Sequence, residues 1–198
     1  MKKLLAVILV ALLSSVALGQ PTVGIFFSES GPYDDAATNF DVTPNAPFNA
    51  YIVALGAESI ESLSAYELGL TLPAGAFTLS VTGPNGWTNF GSATNHLVGF
   101  GAGGAGFPMP GTDGTVVLCT IQMLTGSTDA ANIELGPADP PSDPGWGGAL
   151  LVPTEDVNNP VRATTAGGEE NGIVATLNSD GITPVESQTL SGVKTLFR

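Results

Sequence analysis

Apolar residues recur at every second position through most of this chain, and clusters of turn-forming residues separate the alternating stretches. The clearest stretch is residues 66–72, which read Tyr-Glu-Leu-Gly-Leu-Thr-Leu. Successive side chains of a β-strand point to opposite faces of the sheet, so a period of two predicts a strand with one buried face and one polar face. The pattern therefore predicts an all-β fold.

A second alternating stretch follows almost at once. Residues 73–75 read Pro-Ala-Gly, and residues 77–82 then read Phe-Thr-Leu-Ser-Val-Thr. Proline and glycine favour a tight turn between strands. The two stretches are therefore predicted to be neighbouring half-buried strands, each with its polar face in water.

Eight further short segments are predicted to be strands, and no segment has a convincing helical period. Only residues 57–64 hint at a helical turn, and a loop is the alternative there. Residues 48–55 and 115–124 are apolar on both faces, so we expect them in the middle of the domain. Many short strands of this kind favour an antiparallel β-sandwich. The further predicted strands are residues 22–28, 39–43, 48–55, 97–101, 115–124, 132–136, 149–153 and 172–177.

The first nineteen residues have the pattern of a cleavable signal peptide. Lys2 and Lys3 precede ten apolar residues, and Ala17-Leu18-Gly19 precedes Gln20. The apolar run is shorter than the roughly 20 residues that a membrane-spanning helix needs. We predict a signal peptide at 1–19, a β-sandwich at 20–178 and a strand or tail at 179–198. The mature protein is then predicted to be periplasmic or extracellular, without a membrane anchor.

Removal of the leader leaves three cations against 18 carboxylates, a net charge of −15. Such a surface repels phosphate backbones and anionic lipids, so nucleic acid is not an expected partner. Two of those three cations, Lys194 and Arg198, lie in residues 191–198, which we call the basic segment. We interpret this segment as a solubilising end, with a sorting or docking element as the alternative.

Two kinds of ligand site are suggested by the predicted loops. Aromatic rings in loops stack on sugar rings, which makes a carbohydrate site one hypothesis; the alternative is that the tryptophans close the ends of the sandwich. Loop carboxylates bind hard cations, which makes calcium a possible cofactor, although no dedicated calcium-loop spacing is present. The aromatic candidates are Trp87, Trp146, Tyr33 and Phe107, and the calcium candidates are Asp34, Asp35, Asp41, Asp139 and Asp143.

Catalytic motifs are not evident. His96 is the only histidine and Cys119 the only cysteine, too few for a zinc site, and no Gly-x-Ser-x-Gly motif presents a nucleophile. We interpret Cys119 as a small buried hydrophobe and His96 as a satisfied or surface residue. A glycosidase needs a pair of carboxylates across a cleft, and its candidates here are Glu58, Glu61 and Glu67.

Three stretches resemble the cohesin-like family of secreted bacterial β-sandwich modules. They are residues 65–73, residues 77–81 and residues 114–121, the last of which is similar to the family's Gly-x-Leu-Ala-Thr-Ile strand. The resemblance implies a jelly-roll sandwich related to carbohydrate-binding modules, of the kind that binds dockerins across one sheet face. Our leading hypothesis is a non-enzymatic module for adhesion or assembly with an extracellular protein. The alternative is polysaccharide binding through the loop aromatics, and a glycoside hydrolase ranks third.

Overall fold

The computed structural model describes residues 19–34, 36–84, 86–101 and 108–179. The predicted signal peptide (except Gly19) and residues 180–198 lie outside these ranges, as do Asp35 and Phe107. All regular structure in the described ranges is β-strand. The strands are β1 (Thr22–Phe26), β2 (Thr38–Phe40), β3 (Phe48–Leu55), β4 (Leu63–Thr71), β5 (Ala76–Thr82), β6 (Trp87–Asn89), β7 (Asn95–Phe100), β8 (Val116–Thr125), β9 (Ala131–Gly136), β10 (Ala149–Pro153), β11 (Val161–Thr165) and β12 (Gly172–Leu177).

The strands form two layers. Sheet A has the antiparallel order β1-β3-β8-β5. Sheet B is centred on β4, which pairs with β7 along one edge and with β10 and then β9 along the other. Strand β6 extends sheet B beyond β7, β11 extends it beyond β10, and β12 and β2 extend it beyond β9.

Two strand pairs are parallel, which corrects the prediction of a purely antiparallel sandwich. Strand β1 pairs with β11 and joins the two sheets, and β12 pairs with β2 at the far edge of sheet B. Parallel pairing needs a long connection between the two strands. Both pairs join strands that are distant in the chain, so period-two patterns of the individual strands do not reveal their direction.

One hydrophobic cluster fills the space between the sheets. Tyr66 and Leu68 of β4 are fully buried in it, which confirms the predicted inward face of that strand. Burying a leucine or isoleucine side chain stabilises a fold by about 1.5–3 kcal/mol, so this cluster holds the two layers together. Its largest members include Ile25, Ile52, Leu118, Ile121 and Met123 from sheet A and Tyr66, Leu68, Ile133, Leu151 and Leu177 from sheet B.

A second, smaller cluster covers part of the outer side of sheet A. Tyr51, Val53 and Leu55 of β3 pack there with Phe26, and the loop residue Tyr33 packs against them. Strand β3 also lies between β1 and β8. Its two apolar faces therefore contact two different clusters, which confirms the predicted central position of residues 48–55.

Strands β4 and β5, predicted as neighbours, lie in different sheets. Both edges of β4 are occupied by other strands, and β5 pairs with β8 instead. Gly75 has φ +80°, and the Ala76 N–H donates to the Pro73 carbonyl at 3.1 Å, so the chain turns sharply from one layer to the other. The apolar face of β4 packs on the core from sheet B, whereas β5 contributes only Val81 to it from sheet A.

Two short strands were not predicted from the sequence. Strands β6 and β11 lie outside the predicted strands. Strand β6 has three residues, too few to show a period, and only Ala163 and Thr165 of β11 are buried. Residues 57–60, within the segment that hinted at a helical turn, form a single turn in which the Ile60 N–H donates to the Ala57 carbonyl at 2.9 Å, and β4 then begins at Leu63.

Candidate binding surfaces

A β-bulge in β5 turns two large apolar side chains outward. The alternation of residues 77–82 predicts Phe77, Leu79 and Val81 on one buried face, but the β5–β8 register shifts between Thr78 and Ser80. Phe77 is 61% and Leu79 49% exposed, whereas Val81 packs on the core. A bulge inserts one residue and reverses the phase of the alternation, which is why this expectation failed.

The outer face of β3, β8 and β5 is a surface of uncharged side chains, which we call the neutral face. No residue of the four strands of sheet A carries a charge, although the chain has 18 carboxylates. The register places Gln122 between Asn49 and Ser80, and Thr120 beside Thr82. Its members are Asn49, Phe77, Leu79, Ser80, Thr82, Thr120, Gln122 and Leu124, all exposed or half-exposed.

The core of the sandwich contains a chain of hydrogen-bonded polar side chains. The Trp87 indole Nε1–H donates to Tyr66 Oη at 3.3 Å, and Tyr66 Oη lies 3.2 Å from His96 Nδ1. His96 Nε2 lies 3.1 Å from the Ala93 carbonyl, and Cys119 Sγ lies 3.8 Å from Nδ1. The carbonyl can only accept, so Nε2 carries the proton and Nδ1 accepts from the tyrosine. Every member of this chain is therefore satisfied.

This polar chain is built for stability and not for nucleophilic chemistry. His96 is 0% exposed, and burial lowers its pKa, so the ring stays neutral. Burial raises the pKa of the Cys119 thiol to about 12, and the thiolate that a nucleophile requires does not form at neutral pH. Both sequence interpretations are confirmed: Cys119 is a buried small residue and His96 is a satisfied one.

Glu67, predicted to lie on a polar face of β4 in water, is 8% exposed. Ser142 covers it: the serine N–H donates to Oε1 at 2.9 Å and the hydroxyl to Oε2 at 2.5 Å. The loop before β10 closes over this part of sheet B, and period-two alternation carries no information about which loop covers which face.

A groove of about 420 Å³, which we call the sheet B groove, crosses the outer face of β7, β4 and β10 beside Glu67. Phe90, 77% exposed, stands at one wall, and Val157, 54% exposed, at the other. A further groove of about 500 Å³ lies where β4 and β9 meet and has walls of mixed polarity. The floor of the sheet B groove is formed by Ala65, Glu67, Leu97, Gly99, Leu150 and Val152.

The aromatic residues predicted to bind sugar are placed apart from one another. Trp87 begins β6, not a loop, and packs on the main core. Tyr33 packs edge to face on Phe26 with ring centroids 4.9 Å apart, and its hydroxyl donates to the Glu29 carbonyl. Trp146 donates from Nε1 to the Ala149 carbonyl at 3.0 Å, and Arg162 lies over its ring. None of these three rings lines either groove described above.

The aspartates proposed as calcium ligands are dispersed in the described residues. Asp34 and Asp41 are exposed, and Asp139 is tied through its backbone to the Asn95 side chain. Asp143 forms an ion pair with Arg162 at 2.7 Å, which lowers the pKa of its carboxyl group. Within the described ranges, no three His, Cys, Asp or Glu side chains are grouped as a metal site would need.

The glycosidase candidates do not form one cleft. Glu58 and Glu61 are exposed in the turn before β4, and the Glu61 N–H donates to Glu155 Oε1 at 3.0 Å. Glu67 lies in the middle of β4. Four residues of strand between Leu63 and Glu67 already span about 13 Å, beyond the roughly 5–9.5 Å that separates a glycosidase pair.

Comparisons with known proteins find similarity in structure and none in sequence. No family model matches the chain, and no curated protein does. A non-cellulosomal cohesin from Archaeoglobus fulgidus is 12% identical with a TM-score of 0.46, and the match covers 81% of this chain and 93% of that one. The sixth cohesin of Acetivibrio cellulolyticus scaffoldin B, solved with a dockerin, is 10% identical with a TM-score of 0.47, covering 81% and 99%.

A type III cohesin from a cell-surface anchoring scaffoldin of Ruminococcus flavefaciens is 11% identical with a TM-score of 0.46, covering 82% of this chain and 88% of that one. The cohesin resemblance stated from the sequence thus recurs among the structural matches. No helix in the described part of the chain is long and apolar enough to cross a membrane.

Proposed function

We propose that this protein is a non-enzymatic binding module that holds a protein partner on the neutral face, outside the cytoplasm. The observation that carries the proposal is the complete absence of charge from sheet A in a strongly acidic chain. The extracytoplasmic location depends on the leader predicted at residues 1–19.

The energetics of association favour such a surface for a protein partner. An interface that buries a charge without a partner loses several kcal/mol to desolvation. Interface cores are accordingly depleted of charge and enriched in aromatic side chains. Phe77 supplies an exposed aromatic anchor, and the amides of Asn49 and Gln122 supply hydrogen bonds.

The chemistry of the interior fits the same conclusion. The one cysteine is held as a thiol and the one histidine is enclosed. The carboxylates of Glu58, Glu61 and Glu67 are spread over separate environments. Binding through the neutral face therefore uses side chains that are exposed. Catalysis would have to use a cysteine and a histidine that are buried, or glutamates that lie apart.

The test is affinity capture from the secretome of the organism that makes the protein, with matched variants of the bait. Gln122→Glu adds one charge to the neutral face with almost no change of shape. Asn132→Asp makes the same amide-to-acid change at an exposed position of sheet B, where its oxygen keeps the hydrogen bond from Thr176. Phe77→Ala removes the anchor, and Met109→Ala, at a residue 72% exposed, is its control.

We expect a protein that the native chain and both controls retain and that Gln122→Glu and Phe77→Ala lose by about tenfold or more. Melting temperatures of all baits should agree within a few degrees, since every changed side chain is exposed. Recovery of no protein, or equal recovery by all five baits, would show that the neutral face is not the binding surface. Retention on polysaccharide with no protein recovered would favour the carbohydrate hypothesis instead.

A further inference from the structure

The sheet B groove contains a buried carboxylate beside which the described part of the chain places no cation. Within the described residues the only hydrogen bonds to the Glu67 carboxylate come from Ser142, and the single ion pair uses Arg162 with Asp143. A carboxylate has room for about four hydrogen bonds, so Glu67 keeps acceptor positions free. A group with positive charge entering the groove would find a carboxylate that is poorly screened by water.

The floor of this groove has two rows across the sheet. Gly99, Ala65 and Val152 form the first row, and Leu97, Glu67 and Leu150 form the second. Because Ala65 and Gly99 are small, an apolar side chain has space above them, between Phe90 and Val157. The rows are two residues apart along β4, or about 7 Å. The groove therefore suits an apolar side chain and a cation separated by about that distance.

The basic segment, residues 191–198, has this spacing in its sequence. It reads Ser-Gly-Val-Lys-Thr-Leu-Phe-Arg, so Lys194 and Leu196 are two residues apart. In an extended chain, side chains two residues apart share a face and lie about 7 Å from each other. After removal of the predicted leader, Lys194 and Arg198 are the only cations besides Arg162. The segment lies outside the described residues.

The connection between the described chain and the groove is long enough. Gly172 of β12 is level with Leu135, which is level with Leu70, and Leu177 is level with Ala131, so β12 ends about four residues beyond Leu70. Glu67 lies three residues in the other direction, which makes the separation along the strands about 23 Å. The residues from Ser179 to Lys194 span up to about 50 Å when extended. A chain arriving from that end runs antiparallel to β4 and passes Glu67 before Ala65.

We propose that the basic segment of this chain binds in its own sheet B groove, antiparallel to β4. Lys194 pairs with Glu67, and Leu196 packs over Ala65 and Gly99 between Phe90 and Val157. This contact is separate from the neutral face, which lies on the other sheet, so either proposal stands without the other.

Photo-crosslinking in the full chain tests this contact. p-Benzoylphenylalanine in place of Leu196 reacts with whatever lies beside it, and mass spectrometry identifies the sites. Gly99→Leu places a bulky side chain in the groove; a Cβ at Gly99 meets only the Phe90 ring, at 3.4 Å, so the side chain starts there without a backbone clash. Ser80→Leu, at an exposed strand position of sheet A, is the matched control. Lys194→Glu removes the charge match, and Arg198→Glu is its control.

We expect crosslinks in the monomer to Phe90, Val152 or Val157, unchanged in Ser80→Leu and Arg198→Glu. Gly99→Leu should abolish them, and Lys194→Glu should reduce them about tenfold, as loss of a charge-assisted hydrogen bond to a buried group does. Crosslinks scattered over both sheets, crosslinks confined to dimers, or an unchanged yield in Lys194→Glu would each overturn the proposal.

Discussion

The Tyr66 hydroxyl joins two parts of the buried polar chain, and Tyr66→Phe tests what that chain contributes to stability. The substitution keeps the ring, which is 1% exposed, and removes one oxygen atom. Two groups then lose their partner: the Trp87 Nε1–H, which donates to that oxygen at 3.3 Å, and His96 Nδ1, which lies 3.2 Å from it. Shape is preserved, so the free-energy change reports polar satisfaction alone.

The size of the effect follows from the burial of the two orphaned groups. A buried polar group without a hydrogen bond costs about 1–3 kcal/mol. The His96 cost lies at the low end, since the Cys119 thiol is 3.8 Å from Nδ1 and is a weak donor. The Trp87 ring is half-buried, so water relieves part of its cost. We expect Tyr66→Phe to lower the free energy of unfolding by about 2–3 kcal/mol, or the melting temperature by about 5–10 °C.

Urea unfolding at pH 7.5 measures this change, with Tyr33→Phe as the matched control. The Tyr33 hydroxyl donates to the Glu29 carbonyl in an exposed loop, so its removal should cost about 0.5 kcal/mol. The slope of unfolding against urea should be the same in all three proteins. Equal stabilities of Tyr66→Phe and Tyr33→Phe would refute the argument that the buried chain is a stabilising network.

Three further outcomes are expected. His96 is the only histidine, and burial lowers its pKa below 6.5. The free energy of unfolding should therefore fall as the pH drops from 6.5 towards the folded-state pKa, by up to about 1.4 kcal/mol per pH unit. Urea unfolding that gives equal free energies at pH 7.5 and pH 5.5 would contradict this. Thr78→Val removes a buried hydroxyl that has no hydrogen-bond partner among the described residues, and it should stabilise the protein by about 1 kcal/mol. The control Thr120→Val, on the neutral face, should change stability by less than about 0.5 kcal/mol. A Thr78→Val variant less stable than the native protein would show that the Thr78 hydroxyl is hydrogen-bonded in solution. The calcium hypothesis predicts a higher melting temperature in calcium than in chelator, and identical temperatures would remove it.

Much of the fold is predictable from the sequence because burial of one sheet face leaves a period-two pattern. The pattern gave the strands near 22–26, 48–55, 66–72, 116–125 and 172–177 and the inward face of β4. Apolar residues on both faces of 48–55 also gave its central position. These are local consequences of alternating side chains, and they can be predicted without knowing which strands are neighbours.

The binding surfaces were less accessible to sequence reasoning. Phe77 and Leu79 look like core residues in the sequence, and only the shift of register against β8 exposes them. The neutral face could have been noticed as four uncharged strands in an acidic chain, had their common sheet been known. Glu67 looks solvated, and a loop some 75 residues later covers it.

The sequence by itself determined that this chain forms strands and which residues most of them bury. Tertiary structure decided which strands are neighbours, where the bulge in β5 reverses the alternation and which polar groups are enclosed. The physical reason is the distance along the chain over which each property is set. The alternation of buried and exposed side chains is set by the geometry of one strand, whereas strand pairing, register and loop coverage depend on contacts between segments far apart in the chain.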